Sequence, residues 1–103
     1  MSVLLEFSMF PTDKGASVSP YVAKLEKAIR MTGHCSQLTA MGTIVETPTL
    51  QEALEVIAAA YAAIEADSQR VYIAANFDIR QGPLGRIKAK VASVEDKIKH
   101  LSY

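Results

Sequence analysis

Apolar positions along this chain follow two different repeats, which predict where strands and helices lie. A two-residue repeat rich in β-forming side chains marks residues 3–10, 37–47 and 70–80. The middle segment contains the pair Met41-Gly42, which predicts a hairpin of two short strands. The chain should therefore contain four strands, the last with one apolar and one polar face.

A repeat of three to four residues predicts three helices. Ser19 followed by Pro20 has the form of an N-cap with proline at the first helical position, and Gly33 should end this helix. Thr49 and Glu52 form a capping box that opens the second helix. The third helix should run nearly to the C-terminus. Its apolar positions are Leu84, Ile87, Val91, Val94, Ile98 and Leu101.

The order of the elements is strand-helix-strand-strand-helix-strand, followed by a helix. Because connections are short and crossovers are right-handed, this order predicts a split βαβ arrangement. The expected fold class is α+β: a ferredoxin-like βαββαβ sandwich with antiparallel sheet order 4-1-3-2 and an additional C-terminal helix. The length fits one domain spanning residues 1–103, and half of the residues are apolar, which is enough for a core.

The two faces of the predicted sheet carry different side chains. The first two helices should cover one face, to which the pattern assigns Val3, Leu5, Phe7, Met9, Leu38, Ala40, Ile44 and the apolar side of strand four with Phe77. The opposite face, which we call the open face, receives Leu4, Glu6, Ser8, Thr39, Met41, Thr43, Val45, Tyr72, Asn76 and Asp78. Because it mixes apolar with short polar groups and has no lysine, it should be buried in a homo-oligomer and line a small polar pocket.

Charge and composition disfavour several classes of function. Eleven Lys and Arg balance eleven Asp and Glu, so no net field draws the chain to nucleic acid or to anionic lipid. No apolar stretch approaches the roughly 20 residues of a membrane span, and no basic segment precedes a signal-like core. The expected location is therefore cytoplasmic.

Reactive side chains are too scattered to predict a metal centre or a catalytic group. Cys35 is the only cysteine, and His34 and His100 lack acidic neighbours at ligand spacing, so no metal site is expected. No serine or cysteine is accompanied by a suitable base, and Gly82-Pro83-Leu84-Gly85 lacks the lysine of a phosphate loop. The chain is not expected to be an enzyme.

Four segments taken together resemble a known family. They are Leu5 to Pro11, Ser17-Val18-Ser19 with Tyr21-Val22, Met41 to Glu46, and Lys90-Val91 with Ser93-Val94-Glu95. In this order and spacing they resemble the small thiamine-binding protein family, long catalogued as a domain of unknown function, over nearly the whole chain. The resemblance implies a ferredoxin-like protomer in a homotetramer that binds thiamine or its hydroxymethylpyrimidine half near subunit interfaces, without a cofactor and without known catalysis. Relatives often have proline at Ala40 and glycine at Thr47, so the ends of the hairpin depart from the family pattern.

A thiamine site needs three kinds of contact. A carboxylate or hydroxyl takes the exocyclic amine, a hydroxyl or amide serves the ring nitrogens, and aromatic or thioether groups cover the flat rings. Glu6 is the sharpest candidate, because an acidic side chain in an otherwise apolar first strand needs a partner or solvent. The full set of candidate ligand-binding residues is Glu6, Ser8, Phe10, Thr43, Asn76 and Asp78.

Other interpretations of these residues stay open at this point. Glu6 could form an interface salt bridge with Arg80, and Asn76 and Asp78 could hold a strand end or an intersubunit hydrogen bond. Three functions follow. The first is a non-catalytic carrier, store or sensor of thiamine or its pyrimidine half. The second is a regulatory module that senses amino acids, and the third is a structural oligomer without a ligand.

Overall fold

The computed structural model describes residues 1–16 and 18–101. Ser17, one of the positions that carry the resemblance, lies outside the described residues. The strands are β1 (Ser2–Pro11), β2 (Cys35–Thr39), β3 (Gly42–Thr47) and β4 (Val71–Arg80). The helices are α1 (Ser19–Met31), α2 (Leu50–Ile64), which continues into a 3-10 turn (Glu65–Asp67), and α3 (Arg86–Lys99). Within the described ranges, no helix combines the length and the apolar character that crossing a membrane requires.

The sheet confirms the predicted topology. Its order is β2-β3-β1-β4, which is the predicted 4-1-3-2 read from the other edge, and all neighbouring strands are antiparallel. Helices α1 and α2 pack on one face of the sheet and against each other. The core between these two layers contains Val3, Leu5, Phe7, Met9, Leu25, Ile29, Val45, Ala53, Val56, Ala60 and Ile64.

Strand β3 presents the opposite face from the one predicted. Thr43 pairs with the buried Phe7, so Thr43 and Val45 lie on the helix side and Ile44 lies on the open face. The prediction was wrong because it followed hydrophobicity, which favours burial of Ile44. Thr43 can be buried since its hydroxyl donates a hydrogen bond to Glu26 of α1.

The start of α1 differs from the prediction, whereas the start of α2 agrees with it. Helix α1 begins at Ser19 with Val18 in the N-cap position and no side-chain cap, so the predicted cap was wrong by one residue and Pro20 is the second helical residue. The capping box of α2 is confirmed: the Thr49 hydroxyl accepts a hydrogen bond from the Glu52 N–H at 3.2 Å and donates one to its carboxylate at 2.9 Å.

The edge strand β4 is only partly covered by the helices. Helices α1 and α2 pack over β1, β2 and β3, and they leave the helix side of β4 partly open. Phe77, assigned to the core from the sequence, is 39% exposed, whereas Phe7 on the central strand β1 is 2% exposed. The alternation of β4 was predicted correctly, but its burial was not.

The hairpin between β2 and β3 depends on a close backbone contact. Its turn is Ala40-Met41, one residue earlier than predicted, because Thr39 pairs with Gly42. A Cβ atom on Gly42 would lie 2.7 Å from the carbonyl oxygen of Phe7 in β1. Glycine is therefore required here by the approach of two backbones.

Gly42→Ala should lower the free energy of unfolding by about 1–3 kcal/mol, because the new methyl group forces the hairpin away from β1. Urea denaturation measures this loss. Gly82→Ala is the control, since a Cβ there meets nothing within 4 Å and only its positive φ opposes the substitution. Equal losses in the two variants would contradict the close-contact explanation.

Candidate functional site

Strand β3 is shorter than β1, and the difference opens a cavity at the hairpin end of the sheet. Pairing between the two strands ends at Phe7 and Thr43, so the described part of β3 offers no partner to residues 8–11 of β1. A cavity of about 400 Å³ lies here, bordered by the end of β1, the hairpin and the start of α1. We call it the hairpin cavity. Its lining includes Ser8, Phe10, Val22, Met41 and Thr43.

The hairpin cavity brings together three of the six predicted site residues: Ser8, Phe10 and Thr43. It offers three hydroxyl-bearing residues, since Thr39 also lines it, together with two phenylalanine rings and two methionine thioethers. Residues 8–11 of β1 pair with β4 but not with β3, and their open side adds backbone donors and acceptors at the same border. Its volume falls in the range of about 300–1,000 Å³ that is typical of small-molecule sites.

Behind Thr43 lies a buried carboxylate that the sequence pattern did not single out. Glu26 of α1 is 6% exposed, and its Oε2 accepts a hydrogen bond from the Thr43 hydroxyl at 2.6 Å. The sequence does carry a signal for it, because Glu26 comes four residues after Val22 and three before Ile29, on the apolar side of the helix. A charged residue at such a position needs a specific partner.

Glu6 and Asn76 lie elsewhere, as direct neighbours on β1 and β4. Both are exposed on the open face, and the side chain of Glu6 forms no hydrogen bond with another described residue. Since Thr43 faces the helices, the expectation that it converges with Glu6 and Asn76 on one spot was wrong. The error arises because β3 turns Thr43 towards the helices, whereas Glu6 and Asn76 lie on the opposite face of the sheet.

Asp78 also lies on the open face, but α3 engages it. Its Oδ2 accepts hydrogen bonds from Arg86 Nη1 at 2.9 Å and from Lys90 Nζ at 3.3 Å. The bond from Lys90 lowers the pKa of Asp78 below its ordinary value of 3.8, and the Arg86 guanidinium adds to this effect against partial desolvation. Asp78 thus attaches α3 to the sheet.

Glu46 on β3 completes this attachment by capping α3 from a distance in sequence. Its buried carboxylate accepts hydrogen bonds from the N–H groups of Gly85 and Arg86 at 3.0 and 3.1 Å, and from the Ser2 hydroxyl at 2.5 Å. Negative charge is favourable at a helix N-terminus. Arg86 in turn donates from Nε to Ser2 at 3.0 Å. We call Ser2, Glu46, Asp78 and Arg86 the α3 clasp.

Burial by itself would raise the pKa of Glu46, but the hydrogen bonds from Ser2 and from the first amides of α3 outweigh it and hold the pKa below 4.5, the ordinary value. A carboxyl with a lowered folded-state pKa stabilises the fold above its unfolded pKa, and this contribution is lost as the pH falls through the folded value. Acidification below about pH 4.5 should therefore loosen α3.

Glu46→Gln should lower the melting temperature at neutral pH and should reduce the loss of stability on acidification, because the capping charge is absent at every pH. Thermal melting at a series of pH values measures both effects. Glu55→Gln, on the exposed side of α2, is the control. If Glu46→Gln and the wild type depended on pH in the same way, the clasp would not be the acid-sensitive element.

Comparisons with known proteins agree with this architecture. A family model described as thiamine-binding protein matches residues 5–95. UPF0045 protein Mb1933 of Mycobacterium bovis is 35% identical over 95 residues, which cover 92% of this chain and 93% of the relative. UPF0045 protein MJ1052 of Methanocaldococcus jannaschii is 32% identical over 92 residues, 89% of this chain and 91% of the relative.

Solved structures share the fold. The crystal structure of hypothetical protein MJ1052 superposes with a TM-score of 0.82 at 30% identity and covers 92% of this chain and 97% of that one. A domain of unknown function from Bacillus cereus gives a TM-score of 0.78 at 26% identity, covering 94% and 93% of the two chains. A Thermotoga maritima protein described as a candidate for thiamine biosynthesis or salvage gives 0.78 at 16% identity, covering 91% and 99%. At that identity the likeness shows the fold alone.

Proposed function

The chain belongs to the thiamine-binding protein family, and we propose that it binds thiamine or the hydroxymethylpyrimidine half of thiamine without transforming it. The observation that carries this proposal is the hairpin cavity, whose lining residues fall within the segment that the family model matches. The description of the matched family model, thiamine-binding protein, supports the same class of ligand.

The chemistry of the hairpin cavity fits the parts of such a ligand. The Ser8 hydroxyl can donate to a ring nitrogen or bond a hydroxyl group of the ligand. The Thr43 hydroxyl, whose proton goes to Glu26, can accept from the ligand, and the open edge of β1 adds backbone donors and acceptors. Phe10 and Met41 can cover a flat ring, and both contacts are favourable for a cationic thiazolium or a π surface.

The description of the family names binding and no reaction, and it supports a non-catalytic role. The proposed role is that of a cytoplasmic carrier, store or sensor.

We propose that the working form is a homotetramer. The apolar stripe of α3 is largely unpacked: Val91, Val94 and Ile98, and Leu101 just beyond the helix, are each at least half exposed. Tyr72 on the open face is 55% exposed as well. A surface with this much exposed apolar area is typical of an interaction site, and copies of the same chain could bury it.

Isothermal titration should show saturable binding of thiamine and of hydroxymethylpyrimidine, with thiamine phosphate as a third test compound and several amino acids as controls. Heat from an amino acid alone would favour a regulatory module instead. Absence of binding across the whole panel would contradict the proposed function and would favour a structural oligomer.

Ser8→Ala should weaken thiamine binding by about 3- to 10-fold, the cost of one hydrogen bond, because Ser8 borders the hairpin cavity. Asn76→Ala is the matched control, since Asn76 is exposed on the open face away from this cavity. The opposite result, with Asn76→Ala weakening binding and Ser8→Ala leaving it unchanged, would place the ligand on the open face.

Light scattering on the purified protein should report a tetramer. Ile98→Lys should dissociate it, because a charge would replace an apolar side chain in the middle of the exposed stripe of α3. Lys99→Ala, one residue further along the helix, should leave the assembly intact. A monomeric wild type would contradict the proposed tetramer.

A further inference from the structure

A second concave surface lies on the other side of Glu26. It is a groove of about 680 Å³ between α1 and the edge strand β2, which we call the α1–β2 groove. Val22, Met31 and Leu38 supply apolar walls, and Lys27 and Arg30 lie along its exposed rim. Val18, Val22 and Leu38 also line the hairpin cavity, so the two spaces adjoin.

Glu26 lines this groove and is incompletely satisfied by the protein. The Thr43 hydroxyl bonds to Oε2, whereas Oε1 receives no hydrogen bond from any described residue. No lysine, arginine or histidine in the described ranges lies within 4.0 Å of this carboxylate. Oε1 is not among the described buried side-chain atoms that lack a partner, so it is open to the groove and can accept a hydrogen bond from a ligand.

A metal ion is a poor match for this carboxylate. Hard cations need six or more oxygen ligands, and no group of three His, Cys, Asp or Glu side chains that could hold a metal exists among the described residues. The groove instead combines apolar walls with one well-placed polar group, which is the usual design of a site for a small organic molecule.

We infer that Glu26 recognises the ligand, and that the α1–β2 groove takes a flat pyrimidine ring whose exocyclic amino group donates a hydrogen bond to Glu26. This inference rests on the proposed function and identifies the residue that recognises the ligand. The Thr43 hydroxyl holds the carboxylate in place from the side of the hairpin cavity.

The charges around the groove also orient a two-ring ligand. Lys27 and Arg30 on the rim would repel a thiazolium cation. The second ring of thiamine should therefore point towards the adjoining hairpin cavity, where Phe10 and Met41 can cover it. Hydroxymethylpyrimidine, which lacks this ring, needs only the groove and Glu26.

The test compares two pyrimidines on two proteins. Hydroxymethylpyrimidine and the analogue with an oxo group in place of its amino group are titrated into the wild type and into Glu26→Gln. The wild type should prefer the amino compound. Glu26→Gln should bind the amino compound about 10- to 100-fold more weakly and should lose that preference, because the glutamine amide can donate to the oxo group.

Two further variants separate recognition from folding. Glu6→Gln, which changes the exposed carboxylate on the open face, should bind both compounds as the wild type does. The double variant Glu26→Leu/Thr43→Val replaces both partners of the buried hydrogen bond by apolar groups, so it should melt close to the wild type, and it should bind neither compound well.

The outcomes distinguish this inference from the proposed function. If the wild type binds hydroxymethylpyrimidine and Glu26→Gln binds it equally well with the same preference for the amino compound, Glu26 does not recognise the ligand. The proposed function would still hold in that case. If Glu6→Gln abolishes the preference instead, the site lies on the open face. If the wild type binds no pyrimidine or thiamine compound, the proposed function and this inference both fail.

Discussion

Backbone pairing between β1 and β3 runs from Val3 and Thr47 to Phe7 and Thr43, and Gly42 then passes within van der Waals reach of the Phe7 carbonyl. This register turns Thr43 towards α1, where its hydroxyl fixes the buried carboxylate of Glu26. It also leaves the last residues of β1 unpaired on that side, which opens the hairpin cavity. A shift by one residue would exchange the two faces of β3 and remove both features. The proposed ligand site therefore depends on strand register more than on any one side chain.

The opposite end of the sheet is organised by charge. The α3 clasp joins both central strands and β4 to the first turn of α3 through Ser2, Glu46, Asp78 and Arg86. Because the described polar attachments involve only the first turn of α3 and Lys90 just after it, the rest of the helix keeps its apolar stripe exposed. Polar contacts thus set the direction of α3, while its apolar residues stay available for a second copy. In the proposed tetramer, folding and assembly would use different parts of the same helix.

The sequence predicted much of the fold because its signals are local. Alternation identified β1 and β4, the Thr49 capping box identified the start of α2, and the order of elements left few topologies. The faces of β3 could not be predicted in this way, since Thr43 is buried by a hydrogen bond to a residue 17 positions away. Phe77 was misplaced because its exposure depends on how far the helices extend over an edge strand. The prediction did not single out Glu26, because the spacing of apolar residues does not by itself identify a charged residue on the buried side of a helix.

A crystal structure of the protein with hydroxymethylpyrimidine would test the central claim most directly, since it locates the ring without a change in the chain. The account predicts density for the ring between α1 and β2, with its amino nitrogen within hydrogen-bonding distance, about 2.7–3.2 Å, of a Glu26 carboxylate oxygen. A ring bound on the open face beside Glu6 and Asn76, with Glu26 still bonded to Thr43 alone, would contradict it.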